Sequence, residues 1–172
     1  MLTFKLEDLD AQRTLGALVA AGANLRPLML KIGEGLSDST KDRFASTTAP
    51  DGSKWLPNKT STILAYLQKT SGNFNKDGRL NKRGASRVTG KNPLTGISKA
   101  LRTTINYNAS EQGVNIGSPE IYASTQQFGA PARSFKGGKS PWGTIPARPF
   151  LGISAADEQL IIDATLDFLD SI

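Results

Sequence analysis

The chain has 172 residues, of which 38% are hydrophobic and 21% are charged, a composition typical of one globular domain. It contains no cysteine and no histidine, which excludes a disulfide framework, a thiolate nucleophile, a Cys/His zinc site and a Ser-His-Asp triad. Because the formal net charge is +6, a nucleic-acid partner has to be considered. Whether the charge favours such a partner depends on where the basic residues lie along the chain.

The first 45 residues have apolar side chains at helical intervals. A first helix is predicted over 8–21, and a second begins near Pro27, a residue that suits the first turn, and reaches Phe44. Gly33 and Gly35 weaken the second helix by about 1 kcal/mol each relative to alanine, so they either tolerate a bend or permit close packing. The turn sequence Pro50-Asp51-Gly52-Ser53 requires this helix to end before it.

A strongly basic segment follows a short helix predicted over 60–69. Residues 71–93 have almost no apolar content, so we expect a long mobile loop or the tip of a β-hairpin. Seven basic residues lie between positions 69 and 91 against the single acid Asp77, and this excess equals the net charge of the whole chain. The bases predicted to face a DNA channel or a neighbouring protein are Lys76, Arg79, Lys82, Arg83, Arg87 and Lys91.

The middle of the chain changes from helical spacing to alternation. Strands are predicted over 101–107 and 112–118 with a turn over 108–111, which makes an antiparallel hairpin. Residues 121–128 fit either a strand or a short helix. The sequence 145–151 must be extended, because each of its prolines disfavours helix in the residue before it.

A final helix is predicted from Ser154, whose side chain and that of Asp157 form an approximate N-cap arrangement. Five acids and no base lie between 154 and 172, so this end of the chain should carry a field opposite to that of the basic segment. The predicted fold is α+β: N-terminal helices (8–68) and a C-terminal helix (154–171) pack on a small, mainly antiparallel sheet (99–152), with a basic loop or hairpin (70–93), in a single domain.

No residue pattern predicts catalysis or cofactor binding. Glycines do not complete a phosphate-binding loop or a dinucleotide fingerprint. Glu34, Asp38 and Asp42 share one helix face and could hold a hard cation, but such a stripe is more often solvent-facing. We therefore predict no catalytic residue, no metal and no cofactor.

Large aromatic and arginine side chains lie in or beside irregular segments, where a monomer has little reason to expose them. Such residues dominate interface energetics when a partner buries them, and the alternative is that each anchors a loop against the domain's own core. The residues predicted to form an interface are Trp55, Tyr122, Phe128, Trp142, Arg148 and Phe150.

Several short motifs, in order along most of the chain, resemble the phage virion morphogenesis family, the Mu-like tail completion proteins of the neck of tailed bacteriophages. The most specific is Ile145-Pro146-Ala147-Arg148-Pro149-Phe150-Leu151-Gly152, and the next is Pro50-Asp51-Gly52 with Trp55. Tyr122-Ala123 and Gln127-Phe128-Gly129 add to the match. The family often has histidine before the Gln-Phe-Gly sequence, where this chain has Gln126.

The resemblance implies a structural virion protein and no enzymatic activity. It implies a ring of six copies around the DNA channel at the head-tail junction, with the head-tail connector and the tail tube as partners, after assembly in the host cytoplasm. No membrane is expected, and non-specific contact with phage DNA is left open. The rival interpretations are a basic nucleic-acid-binding protein that uses residues 76–91 and a carboxylate-metal hydrolase that uses Glu34.

Overall fold

The computed structural model describes residues 24–96, 98–134 and 143–171, together with the single positions 16 and 22. The predicted first helix and Trp142 lie outside these residues. The described elements, in chain order, are α1 (Arg26–Ser46), α2 (Thr60–Gln68), α3 (Lys82–Thr89), α4 (Ala100–Thr103), β1 (Asn106–Ser110), β2 (Gly113–Gly117), α5 (Ala123–Phe128) and α6 (Ala155–Asp170). The predicted α+β class is confirmed, because the described residues form helices and a two-stranded antiparallel sheet.

Helix α1 is the central element of the fold. It has proline in its first turn, as predicted, and packs against β1, β2 and α6. Its two inner glycines permit close packing: a Cβ at Gly33 would lie 2.8 Å from Cε2 of Tyr107, and one at Gly35 would lie 2.6 Å from Cδ1 of Leu160. Thr47 ends the helix in the left-handed conformation, with φ of 57°.

The predicted hairpin is confirmed with corrected limits. Asn108 pairs with Asn115, and the turn lies at 111–112 instead of 108–111. The prediction of strand from 101 is wrong, because 100–103 form the helical turn α4. Leu101 and Ile105 are both buried, which is the i,i+4 spacing of a helix, whereas Thr103 between them is exposed.

The described sheet is also smaller than the predicted span of 99–152. Residues 121–128 were predicted to form either a strand or a short helix, and residues 123–128 form the helix α5. The 145–152 segment is extended, as its prolines require, but it forms no ladder with the described strands. It joins other backbone by an isolated bridge from Ile145 to Ala130 and by a hydrogen bond from the amide of Arg148 to the carbonyl of Gln126 at 2.8 Å. Proline removes the amide donors that a longer ladder would need.

The basic segment is not a long loop over its second half. Phe74 and Leu80 form an antiparallel bridge, which agrees with the hairpin alternative, and residues 82–89 then form α3. The side chain of Asn81 caps α3 by accepting a hydrogen bond from the amide of Gly84 at 2.9 Å. Asparagine is among the preferred N-cap residues, and the scarcity of apolar residues around it concealed this helix signal.

The C-terminal helix α6 begins where predicted, and Ser154 and Asp157 form a complete capping box. The core has two clusters. One gathers Phe44, Trp55, Leu101 and Phe150, and the other lies between α1 and α6; Ile116 of β2 packs against both. No helix in the described part of the chain is long and apolar enough to cross a membrane.

Candidate functional site

The 145–152 segment is held by side chains from several parts of the chain. Arg148 is 7% exposed, and its guanidinium donates to the carbonyls of Leu56 at 2.8 Å and Pro57 at 3.0 Å. Nε1 of Trp55 donates to the carbonyl of Pro149 at 2.8 Å. Because the arginine and the tryptophan reach in opposite directions, they fix the 55–57 loop and the 145–152 segment to each other. Burial lowers the pKa of Arg148, but a guanidinium is so strongly basic that it stays charged at neutral pH.

Gln127 of α5 makes a second attachment. Its Oε1 accepts from the amides of Phe150 at 2.9 Å and Leu151 at 3.0 Å, and its Nε2 donates to the carbonyl of Leu151 at 2.8 Å. The glutamine amide therefore forms the hydrogen bonds with this backbone that a neighbouring strand would otherwise form. Gly129 allows the approach, because its φ is 74° and a Cβ there would lie 2.7 Å from the backbone nitrogen of Ala147.

A buried ion pair makes the third attachment. Arg43, near the end of α1, contacts the carboxylate of Asp157 and also donates to the carbonyls of Phe150 at 3.0 Å and Gly152 at 2.9 Å. Burial would raise the pKa of Asp157, but hydrogen bonds from Ser39 and Ser154 and the charge of Arg43 together lower it below its usual range. Burial lowers the pKa of Arg43, and the carboxylate partly offsets this, so both groups stay charged.

These attachments bring together most of the residues on which the family resemblance rests. Trp55, Gln127, Arg148 and Phe150 meet around one segment, and Pro50 lies beside Gly152, where a Cβ would be 2.7 Å from the Cγ of the proline. Their polar groups bond to backbone of the same chain. Among the described residues, no buried side-chain nitrogen or oxygen lacks a partner, and no group of three or more acids is placed to hold a metal. The arrangement braces the loops around the 145–152 segment.

The predicted interface residues divide into two sets. Trp55, Arg148 and Phe150 are buried in their own chain, with Phe150 fully so, and the isolated chain accounts for their size without a partner. Tyr122 and Phe128, at the two ends of α5, are 43% and 63% exposed, and Ile121 beside them is 97% exposed. Contact of Tyr122 and Phe128 with a partner stays a prediction.

The predicted basic residues also divide. We call residues 70–91 the basic module. Arg87 donates to the carbonyl of Ser71 and to the side chain of Asn73, and Lys91 lies 5.1 Å from the ring centre of Tyr66, so both are tied to their own chain. Burial lowers the pKa of Lys91. The four bases exposed on the module are Lys76, Arg79, Lys82 and Arg83.

Sequence reasoning missed the roles of Gln127, Arg43 and Asn73. Gln127 belongs to a quoted motif, so its bracing role could have been proposed. Asn73 is 1% exposed and donates to the carbonyls of Leu67 at 2.7 Å and Thr70 at 2.6 Å. The position of Arg43 next to Phe44, on a helix with a buried face, is the sequence feature that could have indicated its buried role.

No curated protein and no solved structure gives a significant match to this chain. The model of the phage virion morphogenesis family matches residues 6–170, nearly the whole chain. Membership indicates a structural role in assembling the phage virion, in keeping with motif residues that brace the fold. The chain belongs to the phage virion morphogenesis family.

Proposed function

We propose that this protein is a structural component of the phage neck. In this proposal it completes the tail and joins it to the head as part of a ring of six copies around the DNA channel. Its partners are then the head-tail connector, the tail tube and further copies of itself. It enters the virion after assembly in the host cytoplasm.

The proposal rests on one observation in a chain of this family: the motif residues form their hydrogen bonds within their own chain. Trp55, Gln127 and Arg148 are occupied by their own backbone, so the motif maintains a rigid fold. Contacts with other proteins are then left to the surface. That surface carries opposite charges on two separate elements, the basic module and α6, and two different complementary surfaces are what a head-to-tail assembly uses.

The test is complementation of a phage that lacks the gene. Without the protein, we expect filled heads and separate tails in negatively stained lysates, and we expect joined particles when the wild-type gene is supplied in trans. Joined, infectious particles in its absence would contradict the proposal. Arrest before the heads are filled would place the protein at an earlier step and would also contradict it.

A second candidate is a nucleic-acid-binding protein, which the exposed bases of the basic module favour. Four neutralised phosphates would give a slope of about −3.6 in the logarithm of the duplex-binding constant against the logarithm of salt concentration. Tight duplex binding by the free protein with a slope of this size, lost in Lys82→Ala/Arg83→Ala, would favour this candidate. The neck proposal expects weak binding with no sequence preference.

A further inference from the structure

The outward side of α6 combines exposed apolar side chains with acids. Ile162 and Leu166 are 51% and 55% exposed and lie one helical turn apart, while Ile161, Ala164 and Phe168 on the inner side pack in the core. A monomer gains no stability by exposing two large apolar side chains one helical turn apart. We call this outward side the acidic face; its acids are Glu158, Asp163, Asp167 and Asp170.

A groove between α1 and α6 adjoins the acidic face. Its volume is about 690 Å³, and its charged lining residues are Lys31, Glu34, Asp163 and Asp167. Lys31 pairs with Asp167 at 2.7 Å, whereas Glu34 and Asp163 form no ion pair with any described residue. The groove therefore has an excess of negative charge and room for a basic side chain.

The basic module carries the complementary pattern. Phe74 and Leu80 face each other across the hairpin bridge and are 41% and 44% exposed. Two of the four exposed bases lie between Phe74 and Leu80 in sequence and two follow Leu80, and Asp77 is the single acid of the module, 3.9 Å from Arg79. The apolar pair Phe74 and Leu80, which lies among bases, is therefore complementary to the apolar pair Ile162 and Leu166, which lies among acids on α6.

We infer that the acidic face of one copy binds the basic module of the next copy, an inference that rests on the proposed ring and names the two surfaces that join its members. The two surfaces belong to elements with different neighbours, since α6 packs on α1 and α3 packs on α2. A chain with two complementary surfaces on separate elements associates head to tail, and such a contact closes into a ring when the rotation permits.

DNA is the competing occupant of the basic module. It would neutralise the four bases, but it would leave Ile162 and Leu166 exposed. A second copy covers both apolar pairs and pairs both sets of charges. Charge complementarity of this kind chiefly fixes register and partner choice, while the apolar pairs supply buried area.

Cysteine cross-linking tests the inference directly, because the natural chain has no cysteine. Phage carrying Leu80→Cys/Leu166→Cys should give a ladder of covalent multimers after treatment with a short bismaleimide. Chains with either cysteine alone should give none. The matched control is Leu64→Cys/Leu166→Cys, because Leu64 is 48% exposed but lies on α2 outside the basic module.

Charge reversal in the same cysteine background supplies the second arm. Lys82→Glu/Arg83→Glu should abolish the ladder, and adding Asp163→Lys/Asp170→Lys should restore it, because the attraction is then reversed in sign. Lys54→Glu/Lys99→Glu, which changes two exposed bases elsewhere, should leave the ladder unchanged.

The outcomes separate this inference from the proposed function. If virions retain the protein but give no ladder, the docking is wrong while the virion role stands. A disulfide or cross-link within one chain, or a charge reversal that weakens duplex binding and leaves the ladder intact, would also overturn the docking. If joined virions lack the protein, the proposed function itself fails.

Discussion

Gln127 satisfies three backbone groups of the 145–152 segment with one side chain. Gln127→Ala would leave all three buried and unpaired, at about 1–3 kcal/mol for each. We therefore expect a loss of about 3 kcal/mol or more in the free energy of unfolding, measured by urea denaturation.

Gln126→Ala is the matched control, since the side chain of Gln126 makes no hydrogen bond with any described residue and should cost less than about 0.5 kcal/mol. Equal losses in the two variants would show that the amide of Gln127 does not hold the segment.

At the scale of elements, the basic module depends on close packing of α3 against the hairpin. Gly84→Ala would ordinarily favour a helix by about 1 kcal/mol. Here the added Cβ would clash with the backbone carbonyl of Asn73 and would lie 2.8 Å from Cδ2 of Leu80, so steric repulsion should outweigh helix propensity.

We expect Gly84→Ala to increase amide exchange across 71–89 while leaving α1 and α6 protected, as measured by hydrogen exchange and mass spectrometry. Gly96→Ala is the control, because nothing lies within 4 Å of the added Cβ. Unchanged protection in Gly84→Ala, or the same increase in both variants, would contradict the packing argument.

The basic module also shows how far sequence patterns could predict the structure. Helices α1, α2 and α6 were predicted because apolar residues repeat at helical spacing in each. Proline also marks the start of α1, and Ser154 and Asp157 mark the start of α6. Helix α3 was missed because polar contacts hold it: Asn73, Asn81 and Arg87 form hydrogen bonds that apolar periodicity does not register. The backbone partners of Gln127 and Arg148 lie far away in sequence, so a local motif could indicate a bracing role but could not specify those partners.

At the scale of the whole molecule, the Arg43–Asp157 pair joins α1, α6 and the 145–152 segment. The folded state lowers the pKa of Asp157, so the pair's contribution to stability is fully present above the ordinary value of about 3.9 and is lost as the pH falls through the folded-state pKa. Asp157→Asn leaves Arg43 buried without its partner, which should cost about 3–5 kcal/mol at pH 7.

The difference in urea midpoint between the wild-type protein and Asp157→Asn should therefore stay constant from pH 7 to about 4 and shrink as the pH falls further. Asp163→Asn, at an exposed position on the same helix, should follow the wild type throughout this range. A constant difference between the wild type and Asp157→Asn down to pH 3 would show that the charge of Asp157 is not what stabilises the fold.

The hydrogen bonds of Asn73, Asn81 and Arg87 all end on residues 67–84, so the basic module closes largely on itself. A segment with this organisation is suited to exchange as a cassette. Replacement of residues 70–91 by another sequence of similar length would then leave the buried hydrogen bonds of Arg43, Gln127 and Arg148 in place.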